Sequence, residues 1–510
     1  MKKKAAVYLI GAGPGDKDLI TLKGKKLLES ADVIIYDYLV NSDLLRHAKK
    51  SAEVIYVGKK AGQKEMPQKD INTLLASKAK SGRIVARLKG GDPTTFGRGG
   101  EEAQALRKKK IPFEIVPGVS SVSAVPAYAG ISLTHRDFTS SFAVVTGHED
   151  PTKKHSNIEW DALSKMGTIV FLMGVQNLKK NMTELIKAGK DPKTPAAVIT
   201  WGTYPKQRTL TGTIENIYHL TNKRQDITSP AVIVVGEVVK LREIINWYES
   251  KPLFGKNIVV TRPLEQSDEL INELSSQGAN VIHFPTIEIA PPRSYKSLDR
   301  AIKTISDYDW IIFTSVNGVK SFFNRLRELN KDIRSLHKAK IAAIGSATCE
   351  EINQLGLNVD IIPDEFKAEG LISKLNKKNL KNSRVLIPRA KVARDVLPEN
   401  LKSLGAKVDV VTAYITKKPP AKGLKQINRL LSDNKIDLIS FTSSSTAKNF
   451  FELIPNFKQT PSKPLIASIG PITAKTVKEY GYKSQIIPKK YTALDLSKSI
   501  KLYFKNKNLK

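Results

Sequence analysis

Arg87-Leu88-Lys89-Gly90-Gly91-Asp92-Pro93-Thr94-Thr95-Phe96-Gly97-Arg98-Gly99-Gly100-Glu101-Glu102 is the stretch on which the reading of this chain turns. It continues the apolar run Ile84–Leu88 and enters a helical pattern, so it predicts a strand-to-helix loop. Gly-Gly pairs on both sides of Asp92 let backbone approach a ligand closely. A carboxylate there accepts from a hydroxyl or amine and repels a phosphate. Two more loops are of this kind. Gly11-Ala12-Gly13-Pro14-Gly15-Asp16 follows the run Ala6–Ile10, and Val116-Pro117-Gly118-Val119-Ser120-Ser121 follows the first loop. With Asp37 closing the run Val33–Tyr36, the Gly11 loop has the outline of a dinucleotide fingerprint. The spacing spoils it: the third glycine position falls on Asp16, and Pro14 lacks an amide for a phosphate. A plain turn without ligand stands open beside that reading. Together, the acid-bearing loops suit a nucleoside without phosphates better than a dinucleotide.

Outward from these loops, short apolar runs bounded by glycine or proline alternate with helical patterns along the chain. Val54–Val57, Ile169–Met173 and Ala231–Val235 are examples. The alternation predicts α/β units with mainly parallel sheets. A boundary is expected at Lys251-Pro252-Leu253-Phe254-Gly255, dividing the chain into residues 1–250 and 251–510. The second half repeats itself: Asp309–Ser315 is echoed by Asp437–Ser443, Ile344–Thr348 by Ile469–Thr473, and Ile361–Pro363 by Ile486–Pro488. Two similar α/β domains with a cleft between them follow. Hydroxyls directly after a strand, as at Ser315 and Ser443, stand where open α/β sheets bind ligands.

The first half resembles the tetrapyrrole methylase family, and within it the uroporphyrinogen-III C-methyltransferases. The resemblance is carried by Gly11–Asp16, Tyr36-Asp37, the Gly-Gly-Asp-Pro segment, Pro117–Ser121, Ala129–Asp137, Thr146–His148, Met173-Gly174 and Ser229–Ala231. It implies two α/β subdomains, about 1–136 and 137–250, with S-adenosylmethionine in the cleft between them. It further implies that Pro14, Gly90, Gly91, Asp92, Thr95, Ser120, Ser121, Met173 and Gly202 line the cofactor pocket, and that Asp37 and Lys59 accept and donate protons. Read without the family, Asp37 is a strand-end cap and Lys59 a solvated lysine beside Lys60. The implied chemistry is in-line attack of a pyrrole carbon on a sulfonium methyl group, which asks for alignment and for stabilisation of the cationic macrocycle.

The second half resembles uroporphyrinogen-III synthase over residues 254–505, through Val260–Pro263, Phe284–Glu288, Phe313–Val319, Ile344-Gly345, Pro388-Arg389, Ala413-Tyr414 and Phe441–Thr446. It implies one discontinuous domain, about 254–288 plus 418–510, and an inserted one, 289–417. The reaction would close hydroxymethylbilane with inversion of its last ring. Arg262, Ser315, Asn317, Arg389, Ser443, Ser444 and Ser445 are candidates for holding carboxylates, and Tyr414 for assisting departure of the hydroxyl. For the serines, ordinary turn chemistry is the plain alternative. The product of this half is the substrate of the first. A methylase half acting on a different tetrapyrrole is the nearer alternative.

The length of 510 residues allows about three to four domains. The 510 residues are 41% hydrophobic and 26% charged, which excludes wholesale disorder. One cysteine, Cys349, excludes an intramolecular disulfide and fits a reducing cytoplasm. The seven histidines form no ligand-spaced cluster, so no metal is expected. The opening Met1-Lys2-Lys3-Lys4 precedes an apolar run too short for a signal segment, and no stretch is long enough for a membrane span. Lys and Arg number 83 against 49 Asp and Glu, a net charge of +34. That permits a nucleic-acid-binding protein, but the lysines are dispersed and no recognition module is present. It also suits small-molecule substrates bearing many carboxylates. A homodimer through the methyltransferase half is one assembly open to the chain.

Overall fold

Among the described residues nineteen strands form four sheets, and continuous apolar runs such as Thr168–Leu172 and Ala231–Val235 give the ones buried on both faces. The computed structural model describes residues 6–58, 66–149, 157–263, 266–363, 368–376, 378–419 and 423–507. The chain divides into two compact units, one of Met1–Asn257, Leu274–Asn280 and Lys501–Lys510, the other of Ile258–Glu273 and Val281–Ile500.

In the first unit, β1 (Val7–Gly11), β2 (Val33–Tyr36), β3 (Glu53–Tyr56), β4 (Val85–Lys89) and β5 (Phe113–Val116) form a parallel sheet in the order β3-β2-β4-β1-β5. Side chains alternate between its faces. Val7, Leu9 and Val85 pack with Ala103 and Leu106 of the helix Gly99–Lys108, while Ile10, Ala86 and Leu88 pack with Leu28 on the other face. The loops leaving β1, β4 and β5 therefore all emerge at the same sheet edge.

The second sheet is the exception to the mainly parallel pattern that the other sheets keep. Its members are β6 (Phe142–Thr146), β7 (Thr168–Leu172), β8 (Pro195–Thr200), β9 (Arg208–Thr213) and β10 (Ala231–Val235), in the order β6-β7-β10-β8-β9. Only β6 and β7 pair in parallel, whereas β10 lies antiparallel between β7 and β8, and β9 returns on β8 as a hairpin. The alternating pattern is the same for either direction of an inserted strand, so periodicity did not distinguish them. β7 and β8 still point the same way, which leaves Met173 and Gly202 beyond C-terminal strand ends on one edge.

The second unit opens with β11 (Asn257–Val260) and β12 (Asn280–His283) and continues through β13 (Glu288–Ala290), β14 (Trp310–Phe313), β15 (Lys340–Ala343), β16 (Arg384–Ala390) and β17 (Lys407–Lys417). It returns to β18 (Leu438–Phe441) and β19 (Leu465–Ser468). The sheets are ordered β12-β11-β18-β19 and β13-β17-β16-β14-β15. β13 pairs antiparallel with the far end of β17, Ala290 facing Ile415. Among the described residues no helix is long and apolar enough to cross a membrane.

Candidate active site

Three loops of the first sheet meet through their backbones. Gly13 and Gly91 exchange amide hydrogen bonds of 3.3 and 2.7 Å, and the Ala12 amide donates to the Lys89 carbonyl at 2.8 Å. Gly11 and Gly118 approach so closely that a Cβ on Gly11 would lie 2.4 Å from the Gly118 Cα. Gly91, at φ +67°, has only the Ser121 amide within 4 Å of its missing Cβ among the described residues, at 3.7 Å. Pro14, Gly90, Gly91, Asp92, Thr95, Ser120 and Ser121 thus belong to one converging set of loops, lined by backbone more than by side chains. Ser120 caps the helix Ser121–Tyr128, its hydroxyl accepting from the Val122 amide at 3.3 Å.

Asp92 spends its carboxylate inside this set. One oxygen accepts from the Thr94 and Thr95 amides at 2.8 and 3.1 Å and from the Thr94 hydroxyl at 2.5 Å; the other accepts from the Gly118 amide at 3.0 Å. Burial pushes the group up, but the Thr94 hydroxyl and the three amides outweigh it and hold Asp92 below the usual carboxylate range. From the sequence this carboxylate is expected to face a ligand. In the structure it ties the β4 loop to the β5 loop.

The second sheet contributes from the same unit. The Asp16 amide donates to the Thr203 hydroxyl at 2.9 Å, and Asp16 accepts from the Tyr128 hydroxyl at 2.8 Å. Gly202 lies against Val125, between Trp201 and Thr203, whose φ values of +50° and +69° are unusual for side chains of this bulk. Met173 is also left-handed, at φ +57°, and is 53% exposed. Backbone strain of this sort is concentrated at functional sites.

Asp37 ends β2, and one of its oxygens accepts from the Arg87 guanidinium at 3.0 Å. Arg87 and Lys89 lie two and four residues beyond Val85 on β4, so they share its face toward the helix Gly99–Lys108, where Glu102 meets them at 3.2 and 2.9 Å. Sequence reasoning missed this buried ion cluster. Its one signal was a pair of charges two apart inside a central strand. Lys59 lies outside the described residues. Among the described residues no group of His, Cys, Asp or Glu could hold a metal ion.

In the second unit, Ser315 caps the helix Val316–Glu328 by accepting from the Gly318 amide at 3.1 Å, and its Oγ also meets the Tyr414 hydroxyl. Asn317 accepts from Gln266. Arg389 is 9% exposed, and its guanidinium donates to the Arg394 carbonyl at 2.6 Å and to Asp395, while its Nε is buried with no partner among the described residues. Ser443 caps the helix Ser444–Leu453 in a capping box with Thr446, and its Oγ is 2.9 Å from that of Ser445. Ser444 donates to the Ile472 carbonyl at 3.4 Å. Arg262 follows β11; burial pushes its guanidinium down, with Glu269 opposing. The structure therefore brings Ser315 to Tyr414, and places Ser443, Ser444, Ser445 and Arg262 at the ends of strands in the other sheet.

Known proteins share both halves. The family of tetrapyrrole (corrin/porphyrin) methylases matches residues 6–218, and that of uroporphyrinogen-III synthase HemD matches residues 268–498. A porphyrin biosynthesis protein HemD of Ruminiclostridium josui is 40% identical over 485 residues, which is 95% of each chain. The chain belongs to the family of fused tetrapyrrole methylases and uroporphyrinogen-III synthases. The methylase half alone is 53% identical over 240 residues to an S-adenosyl-L-methionine-dependent uroporphyrinogen III methyltransferase of Methanosarcina barkeri, covering 47% of this chain and 94% of that one. A uroporphyrin-III C-methyltransferase of Thermus thermophilus, solved with S-adenosyl homocysteine, is 38% identical and covers 46% of this chain and 99% of its own, with a TM-score of 0.40. The loops around Gly91 belong to the methylase half, and the Ser315–Tyr414 pair to the synthase half.

Proposed function

We propose that the chain performs two consecutive steps of tetrapyrrole synthesis. Residues 251–510 close hydroxymethylbilane to uroporphyrinogen III with inversion of the last ring. Residues 1–250 then methylate that product twice to precorrin-2, on the route to sirohaem or a cobalamin. The observation that carries the reading is the presence of both site architectures in one chain, since the first reaction makes the substrate of the second.

The methylase loops fit S-adenosylmethionine. Gly91 offers an open cradle beside the Ser121 amide, and the surrounding surface is backbone, which suits a nucleoside without phosphates. Pro14, Gly90, Gly91, Asp92, Thr95, Ser120, Ser121, Met173 and Gly202 would hold it. When bound, it supplies the electrophilic methyl group. Asp37, half-buried and pinned by Arg87, faces the positive charge that develops on the macrocycle and guides its proton loss.

In the synthase half, Tyr414 donates toward the departing hydroxyl while the strand-end hydroxyls and Arg262 hold carboxylates. The octa-acid substrate is drawn by a net charge of +34. We place the enzyme in the cytoplasm, where a lone cysteine stays reduced, and propose that it dimerises through its methylase half.

Supplying the purified chain with hydroxymethylbilane and S-adenosylmethionine tests the reading. Dimethylated uroporphyrinogen III is the expected product. A macrocycle that stays unmethylated, or a linear tetrapyrrole left unclosed, would refute the corresponding half.

A further inference from the structure

The central strand β4 is buried along its whole length, yet it carries two cations. Arg87 is 3% exposed and Lys89 4%, and the Glu102 that meets them is 0% exposed. All the donors converge on one Glu102 oxygen: Lys89 Nζ at 2.9 Å, Arg87 Nε at 3.2 Å and Gln68 Nε2 at 3.2 Å. The other oxygen, Oε2, is buried with no partner among the described residues.

Such a cluster is a poor investment for stability alone, because desolvation consumes most of the attraction and apolar residues of the same volume serve a core as well. Arg87 also uses its third direction elsewhere. Its Nη1 donates to the Leu88 carbonyl at 2.9 Å, and its Nη2 reaches Asp37 at 3.0 Å. Asp37 is the member at the rim, its side chain 25% exposed. Among the described residues the only other hydrogen bond to its carboxylate is a 3.3 Å contact from the Leu39 amide, so the direction of that carboxylate is set chiefly by Arg87 Nη2. A planar guanidinium held at Nε by a buried carboxylate has little freedom to turn.

We infer that Arg87 is a positioning residue for methyl transfer: anchored by Glu102, it fixes the orientation of the Asp37 carboxylate toward the macrocycle. This rests on the role proposed above for Asp37. Arg87 touches neither substrate nor methyl donor and acts through Asp37 alone.

The test is a double-mutant cycle on the full chain, reading single-turnover methylation of uroporphyrinogen III, S-adenosylmethionine affinity and ring closure. Arg87→Lys keeps the charge but cannot serve Glu102 and Asp37 at once. It should slow methyl transfer by about 10–100-fold, with cofactor affinity within about twofold of the parent and ring closure unchanged. In an Asp37→Ala background the same change should slow the reaction by less than about threefold, because the group it positions is gone. Multiplicative losses would overturn the inference, as would cofactor affinity falling in step with the rate. If Asp37→Ala leaves methyl transfer unaltered, the role of Asp37 itself is wrong and this inference falls with it. Should Arg87→Lys not fold, Glu102→Gln carries the same cycle, with an expected slowing of about 3–10-fold that again disappears without Asp37.

Discussion

The Ser315 Oγ lies 3.1 Å from the Tyr414 hydroxyl, although the two residues are 99 positions apart in the chain. Ser315 is at the same time a helix cap, so its position is fixed by the helix Val316–Glu328, and it in turn orients the phenol. Tyr414→Phe should slow ring closure by about 10²–10⁴-fold, the range lost with a positioned proton donor. Methylation of supplied uroporphyrinogen III should be untouched. Following both reactions on one preparation checks this, and parallel losses would remove Tyr414 from the chemistry.

Asp37→Ala should lower methyl transfer by roughly 10²–10³-fold, the usual cost of losing a group that faces developing charge. Cofactor affinity should change little. A ribose ligand would give the opposite pattern, with binding lost and the bound fraction reacting normally. Single-turnover rates and calorimetric titration separate the two.

Gly118→Ala puts a methyl group 2.4 Å from the Gly91 carbonyl oxygen and 2.6 Å from the Gly11 Cα. Both obstacles are backbone, so no rotamer relieves them, and overpacking of this kind costs about 1–3 kcal/mol. The variant should melt earlier in its first unit and lose at least about tenfold in S-adenosylmethionine affinity, a cost of about 1.4 kcal/mol. Ring closure by the same molecules should persist. Normal cofactor binding would show that the three loops are free to separate without consequence.

Asp92 titrates below its ordinary value in the folded chain, because the Thr94 and Gly118 donors outweigh its burial. Its contribution to stability is therefore complete above the unfolded value of about 3.9 and is lost as pH falls through the folded one. Between about pH 5 and 3 the urea midpoint of the parent should fall more steeply than that of Asp92→Asn. Curves of equal slope would mean that the carboxylate does not hold the loops.

Much of the fold is legible because its signals are local. Gly11, Gly91 and Gly118 announce close backbone approach, and the continuous apolar run at Ala231–Val235 announces a doubly buried strand. The direction of that strand was hidden, since burial on two faces leaves the same trace whichever way the chain runs. In the site, Asp92 was legible as a constrained carboxylate but not as one turned inward, because its partner Gly118 is 26 positions away. Arg87 and Glu102 escaped notice for a related reason: a charged residue is read as solvated until a partner from another element is known. Arg389 stands out beside Pro388, but only the fold shows that Asp395 takes one of its nitrogens while Nε stays buried and unpartnered among the described residues.

The two-strand crossing in the second unit has a consequence for sorting variants. Ile415, the neighbour of Tyr414, pairs with Ala290 in the ribbon where the chain passes between the two sheets. The Ser315–Tyr414 pair therefore travels entirely with one sheet, and the Ser443 group entirely with the other. Damage to the ribbon at Ile415 reaches Tyr414 through the backbone of β17, whereas the Ser443 group has no residue in either ribbon strand. A substitution in β13 that slows ring closure while the Ser443 group keeps its capping box would thus be a fault passed through β17 to Tyr414.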